Sequence, residues 1–386
     1  MNEPVSGRTY DFAASTQSAK DHESYLSQNG RNRPATIADL PTPPSGRSGW
    51  PWTYASATHQ VTPGENCQRI TIITPSFNQG IFIEETIRSV LLQGYPDLEY
   101  IVIDGGSTDG TVDILKKYSP WISHWESKPD RGQSHAINKG LARATGEWFN
   151  WLNSDDYLQP GALATLAQNA ASHPEARLIA GQLNVLRDGQ VLRNYGIKLT
   201  GNTADDIVNH RTAQPAMFYR TSFVGRVNES LHFAMDFELW VRLLAIDGGG
   251  KTICRIESTL ATFREHAASK TGSQSERFET DERAVLRTLA IAIMAHPSFV
   301  DALSPAGVNS VPATILPLTP HEISARELWR AVVPRYLLGE LHQKIKYTGL
   351  LHNLSLIRLC ARTAPLRTAS VIAKTWVKTR ILRRHA

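Results

Sequence analysis

The residues with the most chemical capacity stand together at Asn153-Ser154-Asp155-Asp156, behind an apolar, aromatic-rich run from Trp148 to Leu152 and ahead of Pro160-Gly161, where a helical pattern opens. Such a run reads as a buried strand. Two carboxylates therefore fall at its carboxyl end, the edge at which open α/β sheets bind ligands. Adjacent carboxylates repel unless a cation or hydrogen-bond donors neutralise them, and a divalent metal carrying a phosphorylated ligand is one way to do so. A polar loop with a helix cap is the other. Asp104 and Asp109 also stand at strand ends, and each has a local reading: a brace for the Gly105-Gly106 turn and a helix cap. His266 on its own reads as a loop histidine.

Positioning these groups takes a sheet. Arg69 to Thr74 is a β-branched run suited to a buried parallel strand stopping at Pro75, and Ile81 to Gln93 carries apolar residues at helical spacing. Leu98 to Asp104 reads as a second strand, followed by a helix through Val112, Leu115 and Tyr118. Trp121 to Glu126 is a weaker strand, Gln133 to Ala144 a helix, and the strand before Asn153 comes next. Strand and helix alternating in this way argue a mostly parallel, doubly wound sheet. Beyond Gly161 a helix to Ser172 precedes a hairpin, Leu178 to Leu186 and Val191 to Tyr195 about Asp188-Gly189. Ala216 to Tyr219 is a strand, Phe233 to Ile246 a helix with Asp236 near its start, and Ile253 to Ile256 and Thr259 to Phe263 are late strands. From Gln274 the pattern is helical, broken by a Pro-rich link from Pro305 to Pro320.

Composition narrows the function classes. No Gly-x-Gly-x-x-Gly follows the first strand, and Gly250-Lys251-Thr252 has Ala245 where a phosphate-binding loop needs its first glycine. Cys67, Cys254 and Cys360 are in no metal-ligand spacing, and a reducing, cytoplasmic setting fits them. The N-terminus lacks a signal-peptide pattern, and the apolar run Leu289 to Ala295 is too short to span a bilayer. Residues 1–66 read as irregular, with Trp50, Trp52 and Tyr54 docking on the body. Residues 341–386 hold ten Lys or Arg and no acid, against 31 basic and 36 acidic residues in the preceding 340.

Thr74-Pro75-Ser76-Phe77-Asn78, Ile103 through Thr111, Gly132 through Gly140, Leu152 through Asp156, Met235 through Trp240 and Arg264-x-His266 occur in the order and spacing of family 2 glycosyltransferases. The chain resembles that family over roughly residues 68–272. The resemblance implies an α/β, GT-A type mostly parallel sheet flanked by helices. Its Rossmann-like nucleotide-binding half would be 67–160 and its acceptor half 161–272, with a helical extension 273–386 that is basic from 341. It further implies inverting transfer from a nucleotide-diphosphate sugar, UDP-sugars favoured, to a saccharide or lipid-linked acceptor, as in bacterial polysaccharide or glycolipid assembly. By position, Pro75, Phe77 and Asn78 would line the nucleoside pocket and Asp104 would bond the base. Gly132, Gln133 and Asn138 would lie near the nucleotide and Asn153 near the ribose, and Thr74 and Ser154 would also belong to the nucleotide-sugar site. Asp155, with Asp156 or His266 in support, would hold Mn²⁺ or Mg²⁺, and Asp236 would be the general base. Two departures stand out: Asn153 replaces the first acid of the usual Asp-x-Asp motif, and Met235 stands where many relatives have Glu.

Two rival functions share such a sheet, a non-catalytic sugar-nucleotide scaffold and a nucleotidyltransferase. The second would need a Gly-rich, Arg-bearing loop after the first strand, which Thr74 to Gly80 does not supply. For 341–386 two readings stay open, an anchor on an anionic membrane at the inner face and a basic helical subdomain packed on protein. Nucleic acid is not expected, because the body is net acidic and the tail has few aromatics.

Overall fold

The computed structural model describes residues 34–57, 67–210, 212–247, 250–267, 269, 275–304, 323–348 and 350–382. The Pro-rich link and most of residues 1–66 lie outside them. The chain forms two compact units that interleave in sequence: Met1–Gly196, Ala213–Glu229 and Ile253–Ser269, and Ile197–Thr212, Ser230–Thr252 and Lys270–Ala386.

Among the described residues the first unit holds every strand: β1 Ile70–Ser76, β2 Leu98–Asp104, β3 His124–Ser127, β4 Trp148–Trp151, β5 Tyr157–Leu158, β6 Leu178–Arg187, β7 Gln190–Tyr195, β8 Met217–Arg220 and β9 Ile253–Arg264. They form one sheet in the order β3-β2-β1-β4-β8-β6-β9-β5, with β7 beside β6. β1 is parallel to both β2 and β4, and β2 to β3. β8 enters antiparallel to β4. The chain thus grows from β1 to one side and returns to the other, which makes the β1/β4 boundary a topological switch point where loops diverge and a ligand can enter.

All seven residues of β1 are buried, as befits a strand covered on both faces. Helix α1, Ile83–Leu91, presents Ile83, Ile87, Val90 and Leu91 to one face together with Leu115 and Tyr118 of α2, Thr111–Tyr118. Each such side chain, fully buried, stabilises the unit by about 1.5–3 kcal/mol. Helix α3, Gln133–Leu141, packs on β1 and β2, and α4 follows at Ala162–Ser172. Residues 34–57 hold no helix or strand, and they are pinned through Arg88, buried in α1, whose guanidinium donates to the carbonyls of Pro41, Pro51 and Trp52. Trp50 donates to the Leu158 carbonyl at 2.8 Å, Trp52 is buried, and Tyr54 is exposed.

Two strand expectations change. β1 continues through Pro75 and Ser76, because β4 pairs with it only as far as Ile73 and the missing proline N–H costs no ladder bond on that side. The two late strands are one, β9, whose register against β6 shifts about Gln182, so polar Glu257-Ser258 is a bulge rather than a turn.

The second unit is helical: α5 Thr203–Val208, α6 Met235–Asp247, α7 Ser275–Ala292, α8 Pro297–Ala302, α9 Ala325–Val332, α10 Leu338–Thr348, α11 Leu354–Thr363 and α12 Pro365–Leu382. Of the apolar residues expected to form the stripe of α6, Phe233, Phe237, Trp240, Val241 and Leu244, the last four are buried while Phe233 stands partly exposed ahead of the helix, and Leu239 and Leu243 are buried too. α6 is therefore covered on more than one side. Pro365 separates the last two helices by opening α12, where a proline lacks no helical bond. No helix among the described residues is long and apolar enough to cross a membrane.

Candidate functional site

The loops leaving β1 and β2 are laced together. Asn78, with φ 53°, donates its N–H to Ser107 Oγ at 2.7 Å and accepts the Thr108 N–H on Oδ1 at 3.0 Å. Gly80 N–H donates to Asp109 Oδ2 at 2.8 Å, and Asp109 Oδ1 takes the Thr111 hydroxyl at 2.6 Å. These bonds, working against burial, hold Asp109 below the ordinary carboxylate range. A large aromatic, Phe77, is left 60% exposed beside them. A Cβ on Gly105 would stand 3.3 Å from the Phe77 ring and 3.2 Å from Asp130 Oδ2, so the bare glycine lets both approach the backbone.

Asp104 is wholly buried, and its carboxylate accepts four hydrogen bonds from its own surroundings. Gly106 N–H, Ser107 N–H and Ser127 Oγ reach Oδ2 at 3.1, 2.8 and 2.6 Å, and Ser107 Oγ reaches Oδ1. It braces the turn, as its local reading has it, and retains acceptor capacity only on Oδ1. Thr74 faces inward, its hydroxyl 3.1 Å from that of Tyr100, and Pro75 is buried within the strand.

The loop after β4 gathers the second group. Thr86 of α1 directs its hydroxyl at the carbonyls of Ser154 and Asp156, at 3.0 and 2.6 Å, which fixes the loop's backbone. Gln133, at the start of α3, donates to Asn153 Oδ1 at 2.7 Å, and Asn153 in turn donates to Asp156 Oδ2 at 3.2 Å. Asp156 is buried and its Oδ1 accepts the Arg264 N–H at 2.9 Å. Burial, with Asp155 alongside, pushes its carboxyl well above the ordinary range. Asp155 remains 17% exposed, with Oδ2 3.1 Å from His266 Nε2. The His266 ring lies on Phe82 with centroids 4.7 Å apart, so the residue preceding α1 orients the imidazole.

Asp155 and His266 thus present one carboxylate and one imidazole to the same point. No group of three or more His, Cys, Asp or Glu side chains able to hold a metal occurs among the described residues. A two-donor protein set suits an ion such as Mn²⁺ that takes its other positions from phosphate oxygens and water. Arg264 spans Phe82 and Tyr157 with its guanidinium and pairs with Glu85 at 3.2 Å.

Not every expected residue joins these loops. Asn138 bonds the Val227 carbonyl and N–H and Glu229 Oε1, all at 2.9 Å, tying α3 to residues 227–229. Asp130, which the sequence analysis does not single out, accepts the Gly132 N–H at 2.7 Å. An Asp two residues ahead of a glycine that opens a helix is the signal for such a turn.

In the second unit, Asp236 is partly exposed and accepts the Thr212 hydroxyl at 2.8 Å. Burial lifts its carboxyl above the ordinary range, against the pull of that bond and of His210. Glu238, the nearest acid on the same helix, is 1% exposed and paired with Arg242. It belongs to the packing of α6.

The glycosyl transferase family 2 model matches residues 71–225, from β1 to the end of the short helix after β8. Residues 71–225 thus form a glycosyl transferase family 2 domain. TuaG of Bacillus subtilis (strain 168), a glycosyltransferase assigned to teichuronic acid biosynthesis, is 42% identical over 144 residues, 36% of this chain and 57% of that protein. A Campylobacter jejuni GalNAc(5)-diNAcBac-PP-undecaprenol beta-1,3-glucosyltransferase is 36% identical over 187 residues, 45% of this chain and 59% of that one. The chain spans about a third to six-tenths of the length of the curated relatives it matches. The fold is similar to that of S. aureus TarS 1–349, with a TM-score of 0.51 at 15% identity over 82% of this chain and 91% of that one. The sheet is that of a GT-A glycosyltransferase.

Within the family 2 domain the match takes in both loop groups, whereas Asp236 and His266 lie beyond residue 225. His266 reaches the domain's Asp155 through β9, which ends at Arg264.

Proposed function

We propose that this family 2 glycosyltransferase moves a sugar from a nucleotide-diphosphate donor, UDP-sugars first, to a hydroxyl of a saccharide or lipid-linked acceptor, with inversion at the anomeric carbon. The observation that carries the reading is the loop Asn153–Asp156 at the sheet's switch point, where Asp155 meets His266 at 3.1 Å and Gln133 holds Asn153. The family match across β1 to β8 supports it. TarS with UDP-GlcNAc and the undecaprenol-linked substrate of the Campylobacter relative supply the first donor and acceptor class to try.

In this reading the exposed ring of Phe77 offers the nucleoside base a stacking face, Asn78 shapes the pocket wall, and Asp104 uses its free capacity on Oδ1 for a base N–H. Asn153 and Ser154 border the ribose, with Gln133 orienting the Asn153 amide. Asp155 and His266, with Asp156 behind, would hold Mn²⁺ or Mg²⁺. Such an ion, when bound, supplies positive charge to the diphosphate as it leaves. Asp236 takes the proton of the attacking hydroxyl. Inversion is a single displacement, so that proton must leave as the new bond forms, and a carboxylate lifted towards neutrality by burial is the better base for it. The basic region 341–386 would rest on an anionic membrane at the cytoplasmic face, where a lipid-linked acceptor would be met.

Products separate the alternatives. With Mn²⁺ and a panel of UDP- and GDP-sugars, the transferase releases nucleoside diphosphate. Release of pyrophosphate would make the protein a nucleotidyltransferase, and donor binding with no release in the presence of polyprenyl-linked and saccharide acceptors would make it a scaffold.

A further inference from the structure

Two adjacent acids of α7 each hold a different part of the chain around Asp236. Asp281 Oδ2 accepts the N–H groups of Phe233, His232 and Ala234 at 2.9, 3.0 and 3.4 Å, the three residues that lead into α6. Amides at a helix start have no partner within the helix and need one from elsewhere. Glu282 turns the other way. Its Oε1 lies 3.3 Å from His210 Nε2, while Oε2 accepts the Tyr336 hydroxyl at 2.6 Å and faces Arg335 at 3.5 Å. Burial opposes its charge, but the bonds from His210 and Tyr336 and the Arg335 cation hold it below the ordinary range. An ionised Glu282 makes Nε2 the donor of that pair. The His210 ring is stacked on Phe237, the neighbour of Asp236, with centroids 4.3 Å apart. Two residues past His210, Thr212 donates to Asp236 itself.

We propose that Asp281 and Glu282 are positioning residues for Asp236, Asp281 by fixing the entry to its helix and Glu282 by holding His210 against Phe237 and so the segment that delivers Thr212. This rests on the reading of Asp236 as general base. A base works only when its carboxylate is held within hydrogen-bond reach of the proton it takes. Asp236 lies one residue inside α6, so its place depends on how the chain enters that helix and on what packs over Phe237. The Glu238–Arg242 pair, buried among apolar neighbours, fixes the helix body and leaves the entry to Asp281.

The groups that charge the surroundings of Asp236 are His210 and Glu282, with Tyr336 and Arg335 on the far side of Glu282. Of the two, His210 acts on Asp236 more strongly, favouring its ionisation, and Glu282 opposes it. Full-length protein carrying ¹³C-carboxyl aspartate, with Asp236 assigned by its loss in Asp236→Asn, tests the arrangement without any ligand. His210→Asn moves the Asp236 titration to higher pH, by about one unit. Glu282→Gln moves it the same way if Glu282 acts through His210. A move to lower pH, which a direct charge alone would give, or no move in either variant overturns the Glu282 assignment.

For Asp281, hydrogen exchange at residues 232–234 is the readout. Asp281→Ala speeds exchange there, whereas Asp281→Asn, which keeps an acceptor oxygen, stays near wild type. Equal protection in Asp281→Ala overturns that half. Turnover follows: Asp281→Ala and Glu282→Gln slow nucleoside diphosphate release by about tenfold or more with donor Kd unchanged. Wild-type turnover in both, while Asp236→Asn is inactive, overturns the positioning role and leaves the transferase reading intact. Wild-type turnover in Asp236→Asn instead removes the base assignment itself.

Discussion

Loop 153–156 sends its two adjacent carboxylates to different work, since Asp156 is buried beneath the Arg264 amide while Asp155 keeps some exposure and meets His266. Asp155→Ala therefore removes most divalent-dependent donor binding and leaves the fold, because a partly exposed loop carboxylate contributes little packing. Calorimetry with UDP-GlcNAc, with and without Mn²⁺, checks it, and donor binding indifferent to both the variant and a chelator would refute the assignment. The pair Asp236 and Glu238 divides just as sharply. Asp236→Asn binds donor normally but turns over about a hundredfold slower or worse. Glu238→Gln strands a buried guanidinium and costs about 3–5 kcal/mol of stability, read as a lower denaturation midpoint. The pH dependence follows from the raised Asp236 carboxyl. A base acts when ionised, so kcat falls on the acid side as pH drops through a value above the ordinary carboxylate range. An acid limb at or below that range would contradict it.

Elements set how far these groups can be trusted to stay in place. α3 begins with Gln133, which holds Asn153, and its Gly140 lies against β1, where a Cβ would meet Ile73 at 2.6 Å. Gly140→Ala overpacks this contact and costs about 1–3 kcal/mol, measurable by urea denaturation. The main strands and helices were readable because periodicity is local: β2 runs Leu98–Asp104, α2 ends at Tyr118 and α4 at Ser172, where the pattern put them. Asp155, Asp156 and His266 were readable as a group only through the family's motifs. What stayed hidden depends on partners distant in the chain. The continuity of β9 is set by β6, where a Cβ on Gly181 would stand 2.4 Å from Leu260 Cγ, and no local pattern in residues 253–264 reveals it. Asp281 and Glu282 look like ordinary helical acids until the fold brings residues 232–234 and 210 to them.

At the scale of the whole molecule the charge is divided, with 31 basic and 36 acidic residues up to position 340 and ten basic and no acidic ones beyond. Part of this basic segment packs on its own unit, since His342 of α10 lies 2.6 Å from Thr375 Oγ1 of α12. Packing buries Leu341, Ile345 and Cys360 but leaves Leu351, Leu354 and Leu366 80%, 44% and 86% exposed. The side chains of Trp376 and Val377 lie outside those described. Exposed Arg358, Arg362, Arg367 and Lys374 accompany the three leucines. Exposed leucines among unopposed cations suit a surface that is both apolar and negatively charged, as an anionic bilayer is, and each cation near such a surface contributes about 1 kcal/mol. Converting Arg358, Arg362 and Arg367 to Gln should weaken binding to phosphatidylglycerol vesicles by about 3 kcal/mol, over a hundredfold in partition. Changing the three leucines to Ser should also release the protein, and added salt should weaken what remains. Flotation on phosphatidylglycerol and on phosphatidylcholine vesicles distinguishes the cases. Equal flotation on both lipids, or binding unchanged in both triple variants, would leave 341–386 as a helical subdomain that packs on protein alone.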